Sequence, residues 1–164
     1  MARFLVAYAT KRGSTREVAE AVAATLARQG LEVELRPAAE VGALEDYDGV
    51  VLGGSLYMGR WHEDARRFLR RHRRALAELT VAVFGMGPLT TKDRDVAGSR
   101  HQLEHALEKV PEVEPVAVAI FGGVVDPAKL HFPFSHMPAS DARDWDAIRV
   151  WAEEVAAAAA APVS

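Results

Sequence analysis

No cysteine occurs in the 164 residues. Disulfides, iron–sulfur clusters and thiol nucleophiles are excluded together, so any redox chemistry must ride on a bound cofactor. Charge of one sign is also lacking. Twenty Lys and Arg stand against 23 Asp and Glu, a net charge of −3, too mild for general nucleic-acid binding. The cations are mostly arginine, which we read as compositional bias rather than mechanism. No apolar run approaches the roughly 20 residues of a membrane span. The run inside "MARFLVAYATKRG" is too short for a signal peptide, so the expected location is cytoplasmic. His, Asp and Glu nowhere cluster at metal-ligand spacing, and no Ser-His-Asp arrangement is legible.

What is present is an ordinary globular composition, 49% apolar and 26% charged, expected to form one domain with its core over 3–157. Strand and helix patterns alternate along it. Arg3–Tyr8 is apolar enough for a buried strand. Ser14–Gln29 follows as a helix with Val18, Ala21, Val22, Thr25 and Leu26 on one face, and "STRE" reads as its capping box. Leu31–Arg36 alternates as a second strand. "GVVLGG", Gly49–Gly54, is the continuous apolar run of a central parallel strand. His62–Leu79 is expected to be helical, then Thr80–Gly85 a strand. A helix opens at Ser99 with a second capping pattern, "SRHQ", and Val116–Gly123 is the fifth strand. Asp144–Ala160 closes as a helix with Trp145, Ile148, Trp151 and Val155 inward. The pattern predicts an α/β fold, a parallel sheet covered on both faces.

In such sheets ligands sit at the carboxyl ends of the strands. The loops there read "ATKRGST", "SLYMGRWH", "GMGPLTTKDRD" and "GGVVDPAKLHFPFSH". The first places Thr10, Lys11, Arg12, Gly13, Ser14 and Thr15 at the mouth of a helix. Helix N-termini offer unpaired amides and partial positive charge to an anion. Hydroxyls add donors and Gly13 allows close approach. The plain alternative is a helix cap joined to a tight turn. The loop lacks the Lys-Ser/Thr end of a Walker loop and the later glycines of a dinucleotide fingerprint, so a monophosphate suits it better.

Two motifs carry a resemblance: T-x-x-G-x-T at 10–15 and D-x-V-V-x-G-x-S at 48–55. Together they resemble the flavodoxin family. With "YDGVVLGGSLYMGRWHEDARRFL" and "DARDWDAIRVWAEEVA", the chain is similar to the branch holding the menaquinone-dependent protoporphyrinogen IX dehydrogenases. The resemblance implies a three-layer sandwich around a five-stranded parallel sheet of order 2-1-3-4-5, and one FMN. Its phosphate would lie on residues 10–15. Its isoalloxazine would lie between Ser55, Leu56, Tyr57, Met58, Gly59 and Trp61 on one side and Gly85, Met86, Gly87, Pro88 and Leu89 on the other. Gly59 would allow the peptide rotation that meets the reduced flavin N5. Two departures stand out. Arg12 replaces a common Thr, and Val124–Asp141 is shorter than the dehydrogenases' segment and broken by Pro127, Pro133 and Pro138.

Other residues keep two readings each. Tyr57 and Trp61 either stack on the ring or cover the sheet end. Arg60, Lys92 and Arg94 either set the charge around the ring or are solvated. His62 and His136 are proton donors or structural, and His131, Phe132, Phe134 and His136 are a lid or a self-packed loop. "RRFLRRHRR", Arg66–Arg74, is a solvated helix face or a peripheral contact with an anionic membrane or an acidic redox partner. The expected function is an FMN-dependent oxidoreductase acting on a small-molecule substrate with a quinone-like acceptor. The alternative is a carrier passing electrons between redox proteins.

Overall fold

The computed structural model describes residues 2–10, 13–57, 59–87, 93–125, 140–141 and 143–160, without the side chains of Tyr57, 93–96, Val124, Val125 and Ser140. Lys11, Arg12, Met58, Pro88, Leu89 and Lys92, with His131, Phe132, Phe134 and His136, lie outside these described residues.

Five strands run parallel: β1 (Arg3–Ala9), β2 (Glu32–Pro37), β3 (Gly49–Tyr57), β5 (Thr80–Met86) and β6 (Ala117–Phe121), ordered β2-β1-β3-β5-β6. Counted alone, that is the expected order 2-1-3-4-5. Side chains alternate across a strand, and β1 divides accordingly. Leu5, Ala7 and Ala9 join one core under α2 (Glu63–Leu76) and α3 (Asp93–Glu108). Phe4, Val6 and Tyr8 join the other, under α1 (Ser14–Arg28) and α4 (Trp145–Ala160). Burial on both faces is why β1 and β3 read as continuous apolar runs.

The glycines of "GVVLGG" make room for aromatic rings. Phe4 is paired with Gly49 and Phe84 with Gly53. A Cβ at Gly49 would lie 2.2 Å from Phe4 Cζ, and one at Gly53 would lie 2.0 Å from Phe84 Cζ. Gly54 faces the other core, where a Cβ would meet Trp61 Nε1 at 2.7 Å.

Several boundaries differ from the sequence expectation. No capping box forms at Ser14. Gly13 is the N-cap, left-handed at φ 91°, and its amide donates to Thr10 Oγ1 at 2.9 Å. The Thr10 hydroxyl thus holds the turn, while no described side chain caps the first amides of the helix. At the far end, Leu31 N donates to Leu26 O and Gly30 N to Ala27 O, with Gly30 at φ 91°, a Schellman ending. Helix α3 begins six residues before Ser99. Trp145, expected inward, is 44% exposed. The Arg143 guanidinium lies 4.7 Å from its ring centre, while Ala152 and Ala156 fill the core beside Ile148 and Trp151. Two short pairings were not anticipated. β4 (Arg60–Trp61) folds back on the end of β3, and β7 (Val124–Val125) pairs with β8 (Ser140–Asp141).

His72 turns inward on α2, as the helical spacing predicts, with its ring 4.7 Å from that of Phe68. Burial pushes its pKa below the ordinary value near 6.5, and the neighbouring Arg71 adds to this. Below pH about 6.5 the unfolded chain binds a proton that the folded chain resists. The stability His72 provides is therefore complete above that pH and is lost as pH falls towards its depressed folded value. Urea unfolding between pH 7.5 and 5 should show a declining midpoint, and His72→Phe should flatten the decline. An unchanged slope in the variant would place the titrating group elsewhere.

Candidate functional site

The carboxyl ends of β1, β3 and β5 meet at one edge of the sheet, where Ala9 pairs with Gly54 and Gly54 with Gly85. The first loop turns there into α1. A Cβ at Gly13 would meet nothing within 4 Å, so the turn is open as well as left-handed. The first helical hydrogen bond runs from Glu17 N to Gly13 O at 3.3 Å. The amides of Ser14, Thr15 and Arg16 therefore precede the helical ladder. Thr10 Oγ1 accepts from Gly13 and keeps its own proton for donation. Thr15 is fully buried, yet its Oγ1 has no partner among the described residues. A buried hydroxyl without a partner is uncommon in a folded protein.

A second orphan lies at the end of β3. Ser55 Oγ is buried without a partner among the described residues. The Ser55 carbonyl accepts from His62 N at 2.8 Å, which ties the chain after β4 back to this strand. Leu56 covers the neighbouring strand end: a Cβ at Gly85 would lie 3.0 Å from Leu56 Cδ1 and one at Gly87 3.4 Å from Leu56 Cβ. Gly87 takes φ 132° and donates to Phe121 O at 2.9 Å, turning the chain away from β5. Gly59 sits in the two-residue turn between β3 and β4 at φ 80°.

The expected site residues divide accordingly. Thr10, Gly13, Ser14 and Thr15 come together around the start of α1. Ser55, Leu56, Gly59, Gly85 and Gly87 line the ends of β3 and β5. Met86, the last residue of β5, is buried on the α1 and α4 side of the sheet. Trp61 requires a correction. It is 1% exposed and donates Nε1–H to Gly54 O at 3.0 Å, so its indole is enclosed over a glycine and covers the strand end. His62 is the N-cap of α2, its Nδ1 accepting from Asp64 N at 3.0 Å. That bond gives it a structural task. On α2, Arg66 donates to Trp61 O and Arg67 to Glu63, while Arg70, Arg71, Arg73 and Arg74 form no ion pair among the described residues.

One residue near the loop was not singled out from sequence. Arg143 reaches back to the first turn of α1, with Nη1 3.1 Å from Glu17 Oε2. It also grips Asp141 through Nε at 3.0 Å and Nη2 at 2.8 Å. These bonds hold the Asp141 carboxyl below the usual carboxylate range. The Asp-x-Arg spacing of "DARD" was the available signal, but a contact across 126 residues leaves no local trace.

A model of the flavodoxin domain matches residues 5–137. The chain belongs to this flavodoxin domain family. Among curated proteins, it is similar to protoporphyrinogen IX dehydrogenase [quinone] of Escherichia coli strain K12, with 28% identity over 90 residues. That match spans 54% of this chain and 50% of the relative. Solved structures with the same fold include flavodoxin 1 from Bacillus cereus, at TM-score 0.61 and 16% identity, covering 93% of this chain and 96% of that one. A short-chain flavodoxin associated with a non-canonical PDU bacterial microcompartment aligns at TM-score 0.66 and 18% identity, covering 98% and 100%. Members of this flavodoxin family typically bind FMN. The residues here suit its phosphate: an open left-handed glycine, three amides ahead of the helical ladder and a buried hydroxyl without a partner among the described residues. No helix among the described residues is long and apolar enough to cross a membrane.

Proposed function

We propose that the chain is an FMN-dependent oxidoreductase acting on an organic substrate with a quinone-like acceptor. The observation that carries this is the buried Thr15 hydroxyl in the first turn of α1, without a partner among the described residues, behind an open left-handed Gly13. Thr10, Ser14 and Thr15 would donate to the phosphate, with the amides of Ser14, Thr15 and Arg16 beside them. Lys11 and Arg12 would add charge. Ser55, Leu56, Tyr57, Met58 and Gly59 would flank the ring on one side, and Gly85, Gly87, Pro88 and Leu89 on the other. When bound, FMN supplies electron or hydride transfer at its N5, while the protein sets orientation and electrostatics.

Protoporphyrinogen is the named substrate candidate, because a curated relative is a quinone-linked dehydrogenase of that compound. The arginines of α2 that form no ion pair among the described residues offer a peripheral contact for an anionic membrane or an acidic partner. A non-catalytic carrier is the second reading, favoured by solved neighbours that are flavodoxins.

Positive charge near the ring separates the two readings. Arg60 is exposed beside the Gly59 turn, and the net charge of −3 opposes an anionic reduced flavin only weakly. Photoreduction of the FMN-loaded protein should therefore take up two electrons together, and a soluble quinone should reoxidise it rapidly. Two well-separated one-electron steps with slow quinone reoxidation would favour the carrier.

A further inference from the structure

We infer that Arg143 is a positioning residue for the phosphate end of the cofactor, offsetting the charge of Glu17 and strapping the β8–α4 junction across the first turn of α1. This rests on the FMN reading above. Glu17 is the acidic residue of that first turn, and its amide makes the first helical bond to Gly13. An uncompensated carboxylate there would repel a phosphate dianion held by the amides just before it. Arg143 offsets part of that repulsion, with Nη1 3.1 Å from Glu17 Oε2, while the same guanidinium also balances Asp141.

The guanidinium is built in rather than free to wander. Its side chain is only 10% exposed. Asp141 grips it twice, the Arg143 amide donates to the same carboxylate at 3.0 Å, and the Trp145 ring lies 4.7 Å away. Such a fixed fork loses little freedom on pairing. Glu20, the next carboxylate along the helix, is already paired with Arg16 at 3.1 Å. Among the described residues, Arg143 is the cation paired with Glu17. The same contact couples the cofactor's phosphate end to the chain that enters α4.

Titration of apoprotein with FMN and with riboflavin, followed by flavin fluorescence, tests this in three variants. Arg143→Met should raise the Kd for FMN about fivefold, a size set by unit charges roughly one helical turn apart in a largely aqueous medium. Its Kd for riboflavin, which has no phosphate, should stay level. The double variant Arg143→Met with Glu17→Gln should return to within about twofold of the parent, since the group of Glu17, Arg143 and Asp141 then carries the same net charge as in the parent. Glu17→Gln alone, an exposed change that spares the fold, should bind FMN more tightly and leave riboflavin unchanged.

Equal weakening for both flavins, or a loss that Glu17→Gln does not restore, would make Arg143 a structural clip and overturn the proposal. So would Glu17→Gln binding FMN no better than the parent. These failures differ from failure of the FMN reading itself, in which the parent would bind no FMN and this proposal would fall with it.

Discussion

Replacing Thr15 by Val is expected to raise the Kd for FMN about 10- to 100-fold while leaving riboflavin binding nearly level. The size follows from a hydrogen bond to a charged group, about 1.5–3 kcal/mol. Valine keeps the shape of threonine, so the helix start should pack as before. The hydroxyl has no partner among the described residues, so no protein bond is broken. The stability of the apoprotein should be unchanged or slightly raised, because a buried orphan has been removed. Paired titrations with FMN and riboflavin decide the matter. Equal loss for both ligands would mean that Thr15 does not face the phosphate.

The second large effect concerns the sheet that carries the site. Gly53→Ala would place a Cβ 2.0 Å from Phe84 Cζ, with both Cε atoms within 2.5 Å. The ring has little freedom to yield, since Phe121 and Trp151 lie 5.6 and 5.8 Å from it, centre to centre. Overpacking of this kind costs about 1–3 kcal/mol, and the wedged ring puts Gly53→Ala near the upper end. Denaturant unfolding should show that loss, and Phe84→Leu in the same chain should restore part of it. An alanine variant as stable as the parent would mean that β3 and β5 are not held by this ring-over-glycine packing.

Much of the framework was legible because its signals are local. Continuous apolar runs marked β1 and β3, and helical spacing placed Phe68, Leu69 and His72 inward on α2. The strand order was different in kind, since it came from the motifs at 10–15 and 48–55 and the family they resemble.

What sequence reading missed depends on contacts between distant residues or on backbone geometry. Ser14 carries the pattern of a cap, but a left-handed Gly13 bonded to Thr10 takes that position. Ser99 carries the same pattern inside a helix already under way. Trp61 looked like a ring for stacking because its partner, the bare backbone of Gly54, leaves no mark at the tryptophan. Trp145 looked like core until Arg143 is seen against its face.

In the candidate site, residue types were readable and partners were not. The threonines and Gly13 pointed to an anion. Only the structure shows that the Thr15 hydroxyl is buried without a partner among the described residues, while the Thr10 oxygen already serves the turn. Arg143 became visible only when residues 126 positions apart were brought together.

The most direct test of the central claim is the visible spectrum of the parent protein after it is mixed with excess FMN and passed through a desalting column. The account predicts a yellow protein whose flavin absorbance elutes with the chain, near one flavin per chain, and is released as intact FMN on denaturation. A colourless protein, with all the FMN in the small-molecule fraction, would contradict it.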